Sequence, residues 1–301
     1  MQGHPTRLIY LKGDELRISL SSELGEYAQY AALSLCWGRH KFTTLMRNKL
    51  EKFRVRIPLE ELTKTFKDAI HTTRFLGLHY LWIDSLCVLQ DDPDDWMRES
   101  FSMSGVYGAA TINIAASDAV DGSVGCFFGH HTPWRCQIRA KFNGKDSLFD
   151  CIPSEYHSVI KDAPLATRGW VTQELFLSRR TLHFTRNEIF WECHEKVASV
   201  TFPKRVPLWG QITPKILSLG KRLMTHAVWF RLAKEYSLCK LTLPRGRLVA
   251  ISGLARFFQA QIDDDYVAGL WKKGLESQLL WTAVKLDERP LPRTGRHGRE
   301  L

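Results

Sequence analysis

The sequence has no Cys-x-x-Cys pair, and its seven cysteines are scattered. In a chain this long, that reads as reduced thiols in a cytoplasmic protein rather than a disulfide scaffold. No uncharged apolar run reaches about 18 residues, so no membrane span is expected. Met1 to Tyr10 lack an apolar core and do not read as a secretory signal. There is no Gly-x-x-x-x-Gly-Lys phosphate loop, which argues against a P-loop nucleotide triphosphatase. The Gly-x-Ser-x-Gly elbow of many Ser/His/Asp hydrolases is also missing. Internal repeats and low-complexity tracts are absent.

The chain is not short of charge, but the charge is dispersed. Lys and Arg number 42 against 32 acids, a net charge of +10. Acids such as Glu60, Glu61, Asp68 and Glu99 interleave with the bases, and no dense basic run or nucleic-acid motif stands out. Direct nucleic-acid binding is therefore not expected. The 301 residues, 44% of them hydrophobic, suffice for a full core in one large domain or two ordinary ones. The 10 Trp and 16 Phe predict an aromatic-rich interior or surface.

The most informative stretch runs from Leu78 to Cys126. The apolar run Tyr80 to Ile83 stops abruptly at Asp84 and Ser85. A buried parallel strand reads this way when it delivers a polar pair to its carboxyl end. Ligands of open α/β sheets bind outside such ends. Upstream, Leu62, Phe66, Ala69, Ile70 and Thr73 predict a helix over 59–75, with Gly77 just beyond it as a left-handed stop. Downstream, Asp91-Asp92-Pro93 is a helix start. The helix it predicts, 94–107, has Trp96, Ser100, Met103 and Tyr107 on one stripe. A second strand follows over 110–116. Helix, strand, helix, strand in one compact stretch indicates an α/β domain with a parallel sheet.

Elsewhere, Leu8–Leu11 and Leu16–Leu20 read as an edge hairpin around Lys12-Gly13-Asp14, and Tyr30 to Trp37 as a strand. Residues 130–165 read as a strand-rich excursion and Pro164 to Leu177 as a loop entering a short helix. Thr181–Thr185 and Glu188–Cys193 read as a hairpin turning at Arg186-Asn187. After Thr201 the chain reads as mostly helical, with 225–236 and 266–281 the best segments.

Three blocks, taken in order, resemble the heterokaryon incompatibility (HET) domain of filamentous fungi. They are Tyr30-Ala-Ala-Leu-Ser-Leu-Cys-Trp-Gly38, the stretch from Leu76 to Cys126 with Trp-Ile-Asp-Ser-Leu-Cys87 and Gln90-Asp-Asp, and Leu165 to Arg179 with Arg168-Gly-Trp-Val-Thr-Gln-Glu174. On this resemblance the chain divides into an N-terminal extension (1–26), a HET domain (27–177), a hairpin plus helical C-terminal region (178–285) and a divergent tail (286–301) read as disordered. The tail, Arg289-Pro-Leu-Pro-Arg, departs from the Trp-rich continuation of longer members and suggests a truncated end.

The resemblance implies non-self recognition and programmed cell death, driven by self-association or a protein partner. It also implies a distant likeness to the TIR domain. The expected fold class is therefore α/β: a TIR/flavodoxin-like, mostly parallel sheet flanked by helices, with an added β-hairpin and a mostly helical C-terminal region. Some TIR domains cleave NAD with a glutamate that follows a Trp on a helix. NAD thus enters as a substrate of an enzymatic alternative, a NAD glycohydrolase; no fixed cofactor is expected. A truncated, inactive paralogue is a further alternative.

The candidate catalytic residue is Glu174, four residues after Trp170 and so on the same helical face. A carboxylate against an indole can have a raised pKa suited to acid/base work, whereas an ion pair with Arg168 or Arg179 would make it structural. Asp84 and Ser85 are candidate ligand-binding residues; the alternative is capping of the following turn. Arg168 can bind phosphate or carboxylate bidentately, or pair with the acidic run Asp91 to Asp95. Trp170 is a candidate pocket residue, although Trp82, Trp96 and Trp170 also read as core. Cys36 and Cys87 read as buried small hydrophobes. Cys126, His130, His131 and Cys136 match no common zinc spacing, so no metal site is expected.

Overall fold

The computed structural model describes residues 5–25, 28–129, 136–151, 156–206, 226–241 and 246–280. The chain starts with the hairpin of β1 (Arg7–Tyr10) and β2 (Arg17–Leu20), turning at the expected Lys12-Gly13-Asp14. β3 (Ala31–Ser34) follows, buried at every position. Next come α1 (Arg47–Val55), α2 (Lys64–Phe75), β4 (Tyr80–Trp82), the single-turn α3 (Asp84–Cys87), α4 (Pro93–Ala109) and β5 (Ile112–Ala115). A separate hairpin of β6 (Cys136–Phe142) and β7 (Lys145–Cys151) interrupts the alternation where a strand-rich excursion was expected. α5 (Tyr156–Lys161) and α6 (Gly169–Leu177) then lead to β8 (Arg180–Phe184), β9 (Ile189–Cys193) and β10 (Val197–Ser199). α7 (His226–Ser237) and α8 (Arg247–Ile262) complete a compact unit that ends at Asp263.

Eight strands form one sheet in the order β10-β9-β8-β5-β3-β4-β1-β2. Its centre, β4-β3-β5-β8, is parallel. Antiparallel hairpins extend both edges, β1-β2 beside β4 and β9-β10 beside β8. Along the chain the parallel strands lie second, first, third, fourth, the flavodoxin-like order. The crossovers diverge on either side of β3, so the switch point lies between β3 and β5 at their carboxyl ends. β3 and β5 are buried throughout, with Ala31, Ala32, Leu33, Ile112 and Ile114 at most 4% exposed. That explains their unbroken apolar runs: both faces are covered by helices.

The helices follow their local chemistry. Thr63 caps α2 through the Phe66 N–H, and Phe66, Ala69 and Ile70 form its buried face. Gly77 follows with φ +73°, a left-handed stop that a Cβ would strain. Asp92 caps α4 by accepting from the Asp94 and Asp95 N–H groups, with Pro93 in the first turn.

The buried stripe of α4 differs from the expected one. Met103 and Tyr107 are inside, but Trp96 is 42% exposed, and Asp95 and Glu99 are buried instead. Their partners explain this inversion. Buried Arg7, from β1, pairs with Asp95, which also binds Arg98 and the Leu89 N–H. Glu99 accepts from the Thr6 hydroxyl. Charges this deep are tolerated only when paired and hydrogen-bonded.

The C-terminal region needs one correction. Residues 266–280 are not a helix; β11 (Tyr266–Val267) and β12 (Leu270–Trp271) form a tight antiparallel pair, and α9 (Leu275–Gln278) is one turn. Ala268 and Gly269 both take positive φ, which breaks the helical period. Within this second unit the Gln278 side chain bonds the Trp271 N–H and carbonyl at 2.7 and 2.8 Å. The start of the 225–236 helix, Trp281, the tail from 286, and His130 and His131 lie outside the described residues. Among the described residues, no helix is long and apolar enough to cross a membrane, and no cluster of His, Cys, Asp or Glu could hold a metal ion.

Candidate functional site

The carboxyl ends of β3 and β4 meet at one hydrogen bond. Trp37, just beyond β3, donates its indole N–H to Asp84 Oδ2 at 2.9 Å. The other carboxylate oxygen accepts from the Ser85 N–H at 2.7 Å. Gln90 donates to the Asp84 carbonyl at 3.3 Å and to the Val88 carbonyl at 3.0 Å, closing the loop behind α3. Asp84 thus braces the first turn of α3, the capping alternative, and its carboxylate lies at the carboxyl end of the sheet. Ser85 is wholly buried, and among the described residues its hydroxyl has no hydrogen-bond partner.

α6 brings Arg168 and Glu174 over these strand ends. Glu174 is 4% exposed. Its carboxyl lies against the Ser34 and Tyr107 hydroxyls, with Arg168 and Asp84 close enough to act through space. Ser34 is oriented by Asn113 of β5, at 3.0 Å from Nδ2. Tyr107, from α4, donates to the Leu33 carbonyl at 3.1 Å. So β3, α3, β5, α4 and α6 each contribute a polar group to one small volume.

Burial pushes the Glu174 carboxyl up from 4.5 to about 7, against the opposing pull of Arg168 and the Ser34 hydroxyl; the Asp84 charge adds to the rise. Asp84 is also raised, first by burial, with Arg168, the Ser85 N–H and Trp37 opposing. One guanidinium therefore serves two carboxylates that burial pushes toward the neutral form.

Arg168 does not pair with the Asp91 to Asp95 run. Asp91 accepts from the Arg47 N–H, Asp92 pairs with Arg47 at 2.8 Å, and Asp95 takes Arg7 and Arg98. Arg168 instead donates to the Leu35 carbonyl, which fixes its guanidinium at the end of β3. Arg179 is exposed. The space beside Gly169 is filled by protein rather than open to a ligand. The chain after α7 takes that space: the Gly169 N–H bonds the Lys240 carbonyl at 3.0 Å, and a Cβ there would lie 2.8 Å from Leu241. That contact locks the start of α6 and so positions Arg168.

Trp170 is half-buried and meets exposed Trp96 edge-on, ring centroids 6.4 Å apart. The raised Glu174 pKa therefore comes from general burial among Ser34, Tyr107 and Asp84. Ser34, Tyr107, Asn113 and Trp37 belong to the site but were not singled out from the sequence. Ser34 and Trp37 are marked only by lying at or just beyond the end of β3, Asn113 by lying inside β5, and Tyr107 by its place on the buried stripe of α4. Cys36 and Cys87 are buried thiols raised by burial to about 11 and about 12, as expected of inert small hydrophobes.

A family model described as Heterokaryon incompatibility protein (HET) matches residues 30–174, a span that begins at the foot of β3 and ends on Glu174. No curated protein and no solved structure matches the chain.

Proposed function

We propose that this chain, whose residues 30–174 form a HET domain, works in fungal heterokaryon incompatibility-type non-self recognition, as a module that signals or executes programmed cell death. In this reading it acts in the cytoplasm through self-association or a protein partner. The family match carries the proposal: the matched span contains every strand-end group of the site, from Tyr30 to Glu174.

A second reading, cleavage of NAD, is favoured by one observation. Asp84 and Glu174, both raised by burial, meet around Arg168 at the switch point of a flavodoxin-like sheet. Hydrolysis breaks the bond between the ribose anomeric carbon and the nicotinamide nitrogen. The bonding pair leaves with nicotinamide, which departs neutral and needs no proton. The ribosyl cation left behind is stabilised by a nearby carboxylate and captured by water. Glu174, with a pKa of about 7, suits both tasks: its anion faces the cation and then accepts the water proton. Asp84 offers a contact to the ribose hydroxyls, with Ser85 buried behind it, and Arg168 holds the carboxylates together. Depleting NAD would itself kill a cell, so the two readings are compatible.

The experiment is NAD consumption by the purified chain at high concentration, beside a folded Glu174→Gln variant. Turnover in the native chain that vanishes in the variant supports the enzymatic reading. If cell death on expression survives Glu174→Gln, the module acts as an adaptor and the chemistry is dispensable.

A further inference from the structure

On the other face of α6, away from Glu174, lies a cavity of about 590 Å³. That size suits a small organic molecule. Val171, Leu175 and Phe176 of α6 and Leu232 of α7 form its apolar wall. Its inner end is polar: His183 of β8 and Glu192 of β9 are buried there, Nε2 to Oε2 3.5 Å apart. The other imidazole nitrogen lies 3.2 Å from the Ser117 hydroxyl, so the ring is held from both sides. The mouth is basic. Lys161, Lys234 and Lys240 line it, all exposed and contributed by three separate segments. Arg231 is engaged by Glu235 at 3.5 Å, whereas the three lysines have no ion pair among the described residues.

We propose that this cavity is a second ligand site, built for an amphipathic anion: an apolar body with one carboxylate, sulfonate or phosphate head. The body fills the space between α6 and α7, and the head meets the lysines at the mouth. The argument is charge complementarity at the rim combined with an apolar wall. It stands independently of any chemistry at Glu174.

The test uses decanoate as the probe, titrated calorimetrically into the full chain, beside decanol and decyltrimethylammonium. Saturable binding is expected to rank decanoate first and decyltrimethylammonium last. Reversing the mouth charges with Lys161→Glu, Lys234→Glu and Lys240→Glu together is expected to weaken decanoate about tenfold or more and to leave decanol unchanged. Leu238→Trp, at an exposed mouth position, is expected to weaken decanoate and decanol alike. Absence of saturable decanoate binding, equal affinity for the anionic and cationic probes, or native affinity in the charge-reversed chain each overturns the proposal. If the triple variant fails to unfold cooperatively, the ranking of the three probes on the native chain decides alone.

Discussion

Trp37 donates its indole N–H to Asp84 at 2.9 Å and so ties the carboxyl end of β3 to that of β4. Trp37→Phe keeps the ring and its edge contact with Phe42 but removes the donor. The expected loss is about 1–2 kcal/mol of stability in urea unfolding, since a buried carboxylate loses the indole and keeps the Ser85 N–H. An unchanged midpoint would show that Asp84 is held by the Ser85 N–H alone.

Glu174 makes stability depend on pH. Its folded pKa, about 7, lies above its ordinary 4.5, so the folded state binds its proton more tightly than the unfolded chain. The stability this contributes is complete below about pH 4.5 and is lost as pH rises to about 7. Asp84, raised for the same reason, adds a loss of the same sign. Glu174→Gln is expected to flatten the fall in unfolding free energy between these pH values, measured by urea titrations at half-unit steps. A slope equal to that of the native chain would place the carboxyl in water.

Among the described residues, Arg168 is the cation that opposes the rise of both carboxylates. Arg168→Met leaves them without it and also frees the Leu35 carbonyl. The expected cost is about 2–4 kcal/mol at pH 8 and clearly less at pH 5, where Glu174 is protonated. A cost independent of pH would mean that Arg168 matters through the Leu35 bond rather than through charge.

Gly38 turns the chain just beyond Trp37 with φ +59°, and a Cβ there would lie 2.3 Å from Asp121 Cβ. Gly38→Ala is expected to cost about 1–3 kcal/mol and to loosen Trp37 from Asp84. Indole fluorescence and thermal unfolding read both effects, and a native-like variant would show that this turn yields easily.

Much of the fold was legible because it is local. The cap at Asp92, the stop at Gly77 and the run Tyr80 to Ile83 each state their own conformation within a few residues, whereas the Thr63 cap starts α2 five residues later than the spacing predicted. Where the outcome depended on distant partners, reading failed. Asp95 and Glu99 are inside α4 rather than outside because Arg7 and Thr6, about ninety positions earlier, meet them. Trp96 is exposed as the counterpart of that exchange. Residues 266–280 carry apolar spacing that suits a helix, yet positive φ at Ala268 and Gly269 folds them into a strand pair.

By itself the sequence determined the alternation of strands and helices, the polar pair at the end of β4, and the HET blocks. Hydrophobic period and capping chemistry act over a few bonds, and that is enough to set them. Only the tertiary structure decided that Arg168 turns to Leu35 and two carboxylates rather than to the Asp91 to Asp95 run. It alone gathered Ser34, Tyr107 and Asn113 around Glu174, and filled the space beside Gly169 with the chain after α7. Those outcomes depend on the strand order β4-β3-β5-β8, which brings together groups far apart in the chain; burial then shifts the pKa of Glu174, a quantity that no short stretch of residues contains.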